Sequence, residues 1–296
     1  MSGHPVADDS ENGPAMSPPN PAPAALLHSA FYRFTPLADP TAAAHTLRVL
    51  AQGLLGLITV ACEGINGALC GPAASMQAFE AALQDPACLG GALAGMPFKH
   101  SHGITPAFAR LKVLVRPEIV ALGLPGADQL PPPAERDGSH VAPLQWRELL
   151  DRDDVVLLDN RNRFEWRLGH FRGAPDPQVQ NFRELVDWVQ VQAPVWREQG
   201  RTVAMYCTGG IRCDKTAPWL RSLGLNVLQL EGGVLNHFAT LADAESDWQG
   251  ECFVFDKRIA LDTRLHETAT RAEQVFDPAE PDEAWRLQRA QRLASY

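Results

Sequence analysis

The stretch with the clearest chemical potential is VAMYCTGGIRCDKTAPWL, Val203 to Leu220. An apolar run ends at Cys207, two glycines and an arginine follow, and a second thiol, Cys213, opens what reads as a helix. Gly209 and Gly210 permit a sharp turn and positive φ without a Cβ clash. Successive N–H groups in such a turn can converge into a cationic nest. The following helix presents its positive dipole end, and Arg212 can add a full charge. All three favour thiolate over thiol, which would make Cys207 a nucleophile or a sulfur carrier.

Spacing narrows the chemistry. A phosphate-binding C-x5-R loop needs arginine at position 213, which is Cys213 here. Arg212 closes the shorter CTGGIR loop, too tight to surround a tetrahedral oxyanion, so the balance tips from a phosphatase to sulfur or redox chemistry. Cys213 has two readings: a resolving thiol that could form a disulfide with Cys207, or a small residue packing the first helical turn.

Such a thiol needs a buried strand before it and a helix after it. LQWRELL, FRELVDWVQVQ, CDKTAPWLRSLG and VLNHFATL read as helices, while VVLLDN, TVAMYC and NVLQLEGG read as strands. The alternation implies a parallel α/β domain, whose functional loops lie at the carboxyl ends of strands, where Cys207 falls. Pro218 would remove a hydrogen bond inside its helix, which places that helix's start at Asp214 or Lys215.

Upstream, HSAFYRF reads as a strand and TAAAHTLRVLAQGL as a helix with Leu47, Leu50 and Leu54 on one face. LGLITVACEG and INGALCGP read as strands joined near residues 64–67, SMQAFEAALQ as a second helix, and PAFARLKVLVRPEIV as the last strand region. This βαββαβ order is the ferredoxin-like unit. The expected layout is a disordered segment over 1–25, a ferredoxin-like domain over 26–122, and a Pro/Gly-rich linker over 123–143. A parallel α/β domain over 144–250 and a charged C-terminal extension over 251–296 complete it. Within the extension, AWRLQRAQRLA reads as a solvent-facing helix.

A chain of 296 residues is long enough for two cores. The net charge of −9 argues against a broad basic surface and against DNA as a partner, while leaving room for a local patch. Lys99, Arg110, Lys112 and Arg116 cluster in the last strand region of the first domain, with His100 and His102 nearby. Arg161, Arg163, Arg167 and Arg172 lie beside the sulfur loop with only Glu165 opposing them. If both groups border the Cys207 mouth, they form a phosphate track, and Phe34 or Phe108 could stack a splayed base.

The six cysteines (62, 70, 88, 207, 213 and 252) show no CxxC pair, which suits a reducing, cytoplasmic setting. No run approaches the ~20 apolar residues that span a bilayer. Asp8, Asp9 and Glu11 stand where a secretory signal would be basic. The sequence carries no GxGxxG fingerprint after a strand, no defensible 2-His-1-carboxylate spacing and no cysteine beyond Cys252 for a C-terminal zinc site, so no cofactor or metal is expected.

LLDNRNRFEWRLGHFRGAP (157–175), with Asp159, Arg161, Glu165, Gly169, His170, Gly173 and Ala174, and VLQLEGGVLNHF (227–238) resemble the rhodanese domain. That resemblance implies a persulfide on Cys207 stabilised by loop amides, with Asp159, Arg161 and Glu165 in a supporting polar network. FYRF (31–34), CEGINGALCG (62–71), FARLKVLVRPEIVALG (108–123) and GECFVFDKRIALD (250–262) surround it in that order.

Together these motifs resemble the bacterial tRNA uridine-34 5-hydroxylase family, the rhodanese-domain UPF0176 proteins, over roughly residues 28–265. The resemblance implies oxygen-dependent hydroxylation at C5 of the wobble uridine in the tRNA anticodon loop. Cys207 would be essential, molecular oxygen the co-substrate, and an external reductant the electron source. Two departures stand out: the cysteine cluster that relatives carry after FVFD is missing, and Ala68 and Cys70 replace the usual threonine and small residue. The competing activity is a rhodanese sulfurtransferase passing persulfide sulfur to a small molecule or protein. A non-catalytic rhodanese-like binding protein is disfavoured by the intact thiol loop.

Overall fold

Alternation along the first strand, β1 (Leu26–Phe34), divides its residues between two environments. Leu27 and Phe31 enter a hydrophobic core, while His28 and Ala30 line an open cleft. The computed structural model describes residues 26–103, 106–124 and 138–294; the segment 1–25 and residues 125–137 of the expected linker lie outside the described residues. Helix α1 (Pro40–Leu50) begins at Asp39, whose carboxylate accepts the N–H groups of Thr41 and Ala42 at 2.9 Å each. It stops short of Leu54, because Gly53 turns to φ +87°; Leu54 keeps its place in the core but leads into β2 (Leu55–Ala61).

Cys62 and Glu63 turn the chain into β3 (Gly64–Pro72), so residues 64–67 are strand and not the expected junction, with Ala61 opposite Gly64. After α2 (Ala73–Gln84) comes β4 (Phe98–Gly103), and then β5 (Leu111–Val115). The sheet order is β4-β1-β3-β2-β5, antiparallel throughout except β2–β5. The expected closing strand at 111–115 is thus an added fifth strand, and the fourth strand is FKHSHG, whose polarity concealed it. Helices α1 and α2 cover one face around Leu47, Ile58, Ile65, Leu69, Met76 and Leu83.

The second unit runs β6 (His140–Val141), α3 (Pro143–Leu149), β7 (Val155–Asp159), α4 (Arg163–Leu168), β8 (Gly169–Phe171) and α5 (Leu185–Glu198). It continues through β9 (Thr202–Tyr206), α6 (Ile211–Ser222), β10 (Asn226–Leu230) and α7 (Gly233–Thr240). The parallel sheet order is β6-β10-β9-β7. β6 falls inside the expected linker, where pairing with Gln229 and Leu230 makes it an edge strand. All five residues of β9 are buried, as a parallel strand with both faces covered requires. Val203 and Met205 join one core with Leu220, and Ala204 and Tyr206 join another with Trp146 and Val234.

Helix α6 starts at Ile211, three residues before the earliest expected start, and keeps Pro218 in its interior. Gly210 caps it in the left-handed region, at φ +96°, so the first turn can place Arg212 and Cys213 against the sulfur. That placement overrides the local penalty of the proline.

At the end of the α/β unit β11 (Trp248–Gly250) pairs with β8, and the C-terminal extension then adds the pair β12 (Cys252–Phe253) with β13 (Ala260–Leu261). Helices α8 (Ala272–Val275) and α9 (Pro281–Ala294) follow. Phe253, Val275 and Phe276 pack on Phe164 of α4, with Leu287 and Ala290 of α9 against them. Glu283 is buried and pairs with Arg167 at 2.6 Å, so α9 is docked, not solvent-facing all round. No described helix is long and apolar enough to cross a membrane. The chain therefore joins a ferredoxin-like α+β unit to a parallel α/β unit.

Candidate active site around Cys207

Strand β9 delivers Cys207 at its carboxyl end, and the loop folds back so that the Gly210 N–H donates to Sγ at 3.1 Å. A Cβ at Gly210 would sit 2.8 Å from the Tyr32 hydroxyl, in a backbone region that L side chains avoid. Gly209 is not among the positive-φ glycines, contrary to the expectation for both. The start of α7 caps the loop: Val234 and Leu235 donate their N–H groups to the carbonyls of Cys207 and Thr208 at 3.0 and 3.1 Å. Gly233 makes that approach possible, since a Cβ there would lie 2.5 Å from the Cys207 carbonyl oxygen.

Burial works against ionisation of Cys207, but the Cys213 S–H, the Arg212 guanidinium and the N–H groups of Cys213 and Arg212 outweigh it. They bring the thiol from 9.0 down to about 6. Arg212 is held by the fully buried Glu165 at 3.0 Å and donates to the Asn160 carbonyl at 3.3 Å. Glu165 is fixed in turn by the capping box at the start of α4, accepting the Asn162 N–H at 3.1 Å. Burial and the neighbouring Cys207 push Cys213 upward, so it remains a protonated donor. Cys207 is therefore the acceptor and Cys213 the donor between the two sulfurs.

Alkylation of Cys207 by iodoacetamide, followed by mass spectrometry, is expected to rise with a midpoint near pH 6. Below that pH the sulfur gains a proton and the rate falls. Arg212→Met and Cys213→Ala should each move the midpoint up by about one unit, by removing a charge or a donor that favours the thiolate. A wild-type midpoint at about 8.5, the value of free cysteine, would refute this electrostatic account.

The first unit reaches into the same site. Lys99 of β4 donates to the Gly209 carbonyl, and its ammonium lies 5.3 Å from the Tyr32 ring centroid. Burial lowers the Lys99 pKa against the pull of Cys207 and Asp214. The Tyr32 hydroxyl donates to Asp214 of α6 at 2.8 Å, and His140 Nε2 lies 3.0 Å from the other carboxylate oxygen. Lys215, 4% exposed, is clamped by Glu63 and by Glu118 at 3.3 Å. The roles of Tyr32, Glu63, Asp214 and Lys215 escaped the residue-by-residue reading. Their one signal was that FYRF and CEGING accompany the cysteine loop.

The remaining basic residues do not form the track drawn from the sequence. Arg161 makes a fully buried pair with Asp159 at 2.7 Å, Arg163 pairs with Asp176 at 3.0 Å, and Arg172 donates to Asp151 at 2.8 Å. With Arg167 on Glu283, each has its own carboxylate, and Glu165 opposes Arg212 instead. Arg110, Lys112 and Arg116 are exposed at the β5 edge, across the sheet from Lys99. Of that expected cluster, Lys99 alone is brought to the sulfur loop. His170 stacks on Trp166, with centroids 4.1 Å apart, and its Nδ1 lies 2.9 Å from the Trp166 carbonyl.

Cys207 lies at the floor of a cleft of about 1320 Å³ between the helix-free face of the first sheet, the sulfur loop and the C-terminal extension. The sulfur-bearing residue itself is 1% exposed. Phe108 lines this cleft, whereas Phe34 lies outside its lining, 6.0 Å from the Lys215 ammonium.

The same two units are recognised by family models: the UPF0176 acylphosphatase-like domain over residues 27–119 and the rhodanese-like domain over 143–237. A protein of Nitrobacter winogradskyi is 42% identical over 261 residues, which span 87% of this chain and 100% of that relative. One of Synechococcus elongatus is 45% identical over 79% of this chain and 85% of its own length, and one of Deinococcus radiodurans is 38% identical over 85% and 81%. All three are named tRNA uridine(34) hydroxylase. The chain belongs to this family of rhodanese-domain UPF0176 proteins, the tRNA uridine(34) hydroxylases.

Proposed function

We propose that this protein hydroxylates C5 of the wobble uridine in tRNA, in the cytoplasm, through sulfur chemistry at Cys207 with molecular oxygen as co-substrate. The observation that carries the reading is a thiol held down to about 6 at the floor of a cleft wide enough for a nucleotide. In the overall balance the C5–H bond is replaced by C5–OH, and the second oxygen atom leaves as water. Two electrons and two protons come from an external reductant. Addition of an anionic sulfur to C6 makes C5 enolate-like and able to attack an oxygen species. Loss of the C5 proton and departure of the sulfur then restore the ring.

The 1% exposure of Cys207 favours a persulfide as the attacking group. An S–S bond is about 2.05 Å long, so an added sulfur moves the reactive atom outward by roughly that much. The loop N–H groups that lower the thiol pKa would stabilise the outer sulfur in the same way. A persulfide also serves the second reading, a sulfurtransferase with a small-molecule or protein acceptor.

Nucleoside analysis of tRNA from a deletion strain separates the two. Loss of 5-hydroxyuridine and its derivatives, restored by the wild-type gene, is the expected result. Unchanged wobble uridines, together with sulfur transfer from thiosulfate by the purified protein, would overturn it in favour of the sulfurtransferase.

A further inference from the structure

The outer wall of the Cys207 cleft is built by the C-terminal extension. Phe255, between β12 and β13, is 54% exposed, and Trp285 on α9 is 45% exposed; both line the cleft. Each ring is backed by a guanidinium, Arg212 at 5.4 Å from Phe255 and Arg286 at 4.6 Å from Trp285. Rings that rest on a cation while about half their surface stays open can take a base on the free face.

Charge follows the same wall. Among the described residues, seven lysines and arginines but three carboxylates line the cleft, on a chain whose net charge is −9. Arg258 is neutralised by Asp256 at 2.6 Å. Lys257 and Arg289 line the cleft with no side-chain ion pair among the described residues. A concave groove that interleaves aromatic faces with cations fits a single nucleic-acid strand, whose bases stack while its phosphates meet the charges. A lipid surface would ask for a flat or convex basic face.

We propose that residues 255–290 form the groove that seats the single-stranded RNA loop, with bases stacked on Phe255 and Trp285 and phosphates held by Lys257, Arg286 and Arg289. This rests on the tRNA reading above and names the surface that reading requires. It also gives the docked α9 a role: its buried Glu283, paired with Arg167, fixes the helix so that Trp285 and Arg289 stand at the cleft.

The test uses the full-length protein and an anticodon stem-loop RNA carrying uridine at the wobble position, with affinity read by fluorescence anisotropy across a salt series. Trp285→Ala should weaken binding about tenfold, the loss expected for one stacked base. Arg289→Glu should weaken it by at least about tenfold and reduce the slope of log affinity against log salt by about one. Arg110→Glu, an equal charge change at the far β5 edge, should bind like wild type. The Cys207 alkylation midpoint should stay put in all three, which separates docking from damage to the sulfur loop.

Wild-type affinity in both wall variants, or equal losses in Arg289→Glu and Arg110→Glu, would overturn the groove while leaving the hydroxylase reading intact. A wild-type protein that ignores the RNA but binds vesicles of phosphatidylglycerol, or an acidic peptide, would overturn both.

Discussion

Cys207→Ser is expected to leave the tRNA of a complemented deletion strain without detectable 5-hydroxyuridine, a loss on the order of 10³-fold or more. A serine hydroxyl does not ionise near neutral pH and cannot carry a sulfane sulfur, so the nest that favours the thiolate would have no anion to act on. The substitution shrinks one atom at a buried position, so the fold should survive with an unfolding midpoint close to wild type. Affinity for the anticodon stem-loop should also persist, because the proposed docking wall lies outside the loop. Hydroxylation within tenfold of wild type would remove sulfur 207 from the reaction.

The largest expected stability effect comes from Glu165→Ala. Glu165 is fully buried and holds Arg212, the Asn162 N–H and, at 3.3 Å, the Thr208 hydroxyl. Deleting it leaves a buried guanidinium without its counter-charge, which costs about 3–5 kcal/mol. The unfolding temperature should fall by roughly 10 °C for a chain of this size. Glu198→Ala, at an exposed position near the end of α5, serves as control and should stay within about 0.5 kcal/mol. Equal melting curves for the two variants would show that Glu165 is not the keystone of the loop. Alkylation should lose its sharp midpoint near pH 6 at the same time, since Arg212 would no longer be anchored beside the sulfur.

What the sequence disclosed, and what it hid, follows from the range of the interactions involved. The sulfur loop was legible because it is local: strand end, glycine, arginine and helix start fall within eleven residues, 203–213, and backbone geometry does the rest. The alternating strands and helices were legible for the same reason. Pro218 misled because a local rule was applied where the requirements of the first turn prevail. FKHSHG is hard to read as a strand because its lysine, serine and two histidines give no apolar alternation, and Lys99 and His100 face the cleft instead of a core. The arginine track failed on partners that no window contains: Arg163 and Asp176 are 13 residues apart, and Arg167 and Glu283 are 116 apart. Local charge counting saw the cations and missed the carboxylates that the fold delivers to them.

The clamp of Glu63 and Glu118 on Lys215 constrains how the chain can be divided and re-engineered. The ammonium sits on the sulfur-bearing half, yet the groups that balance it belong to the other. Grafting the sulfur-bearing half onto a foreign scaffold would leave a buried positive charge without its carboxylates, so an exchange of halves starts at a deficit. A chimera therefore succeeds only by carrying the acidic sockets along with the lysine they receive.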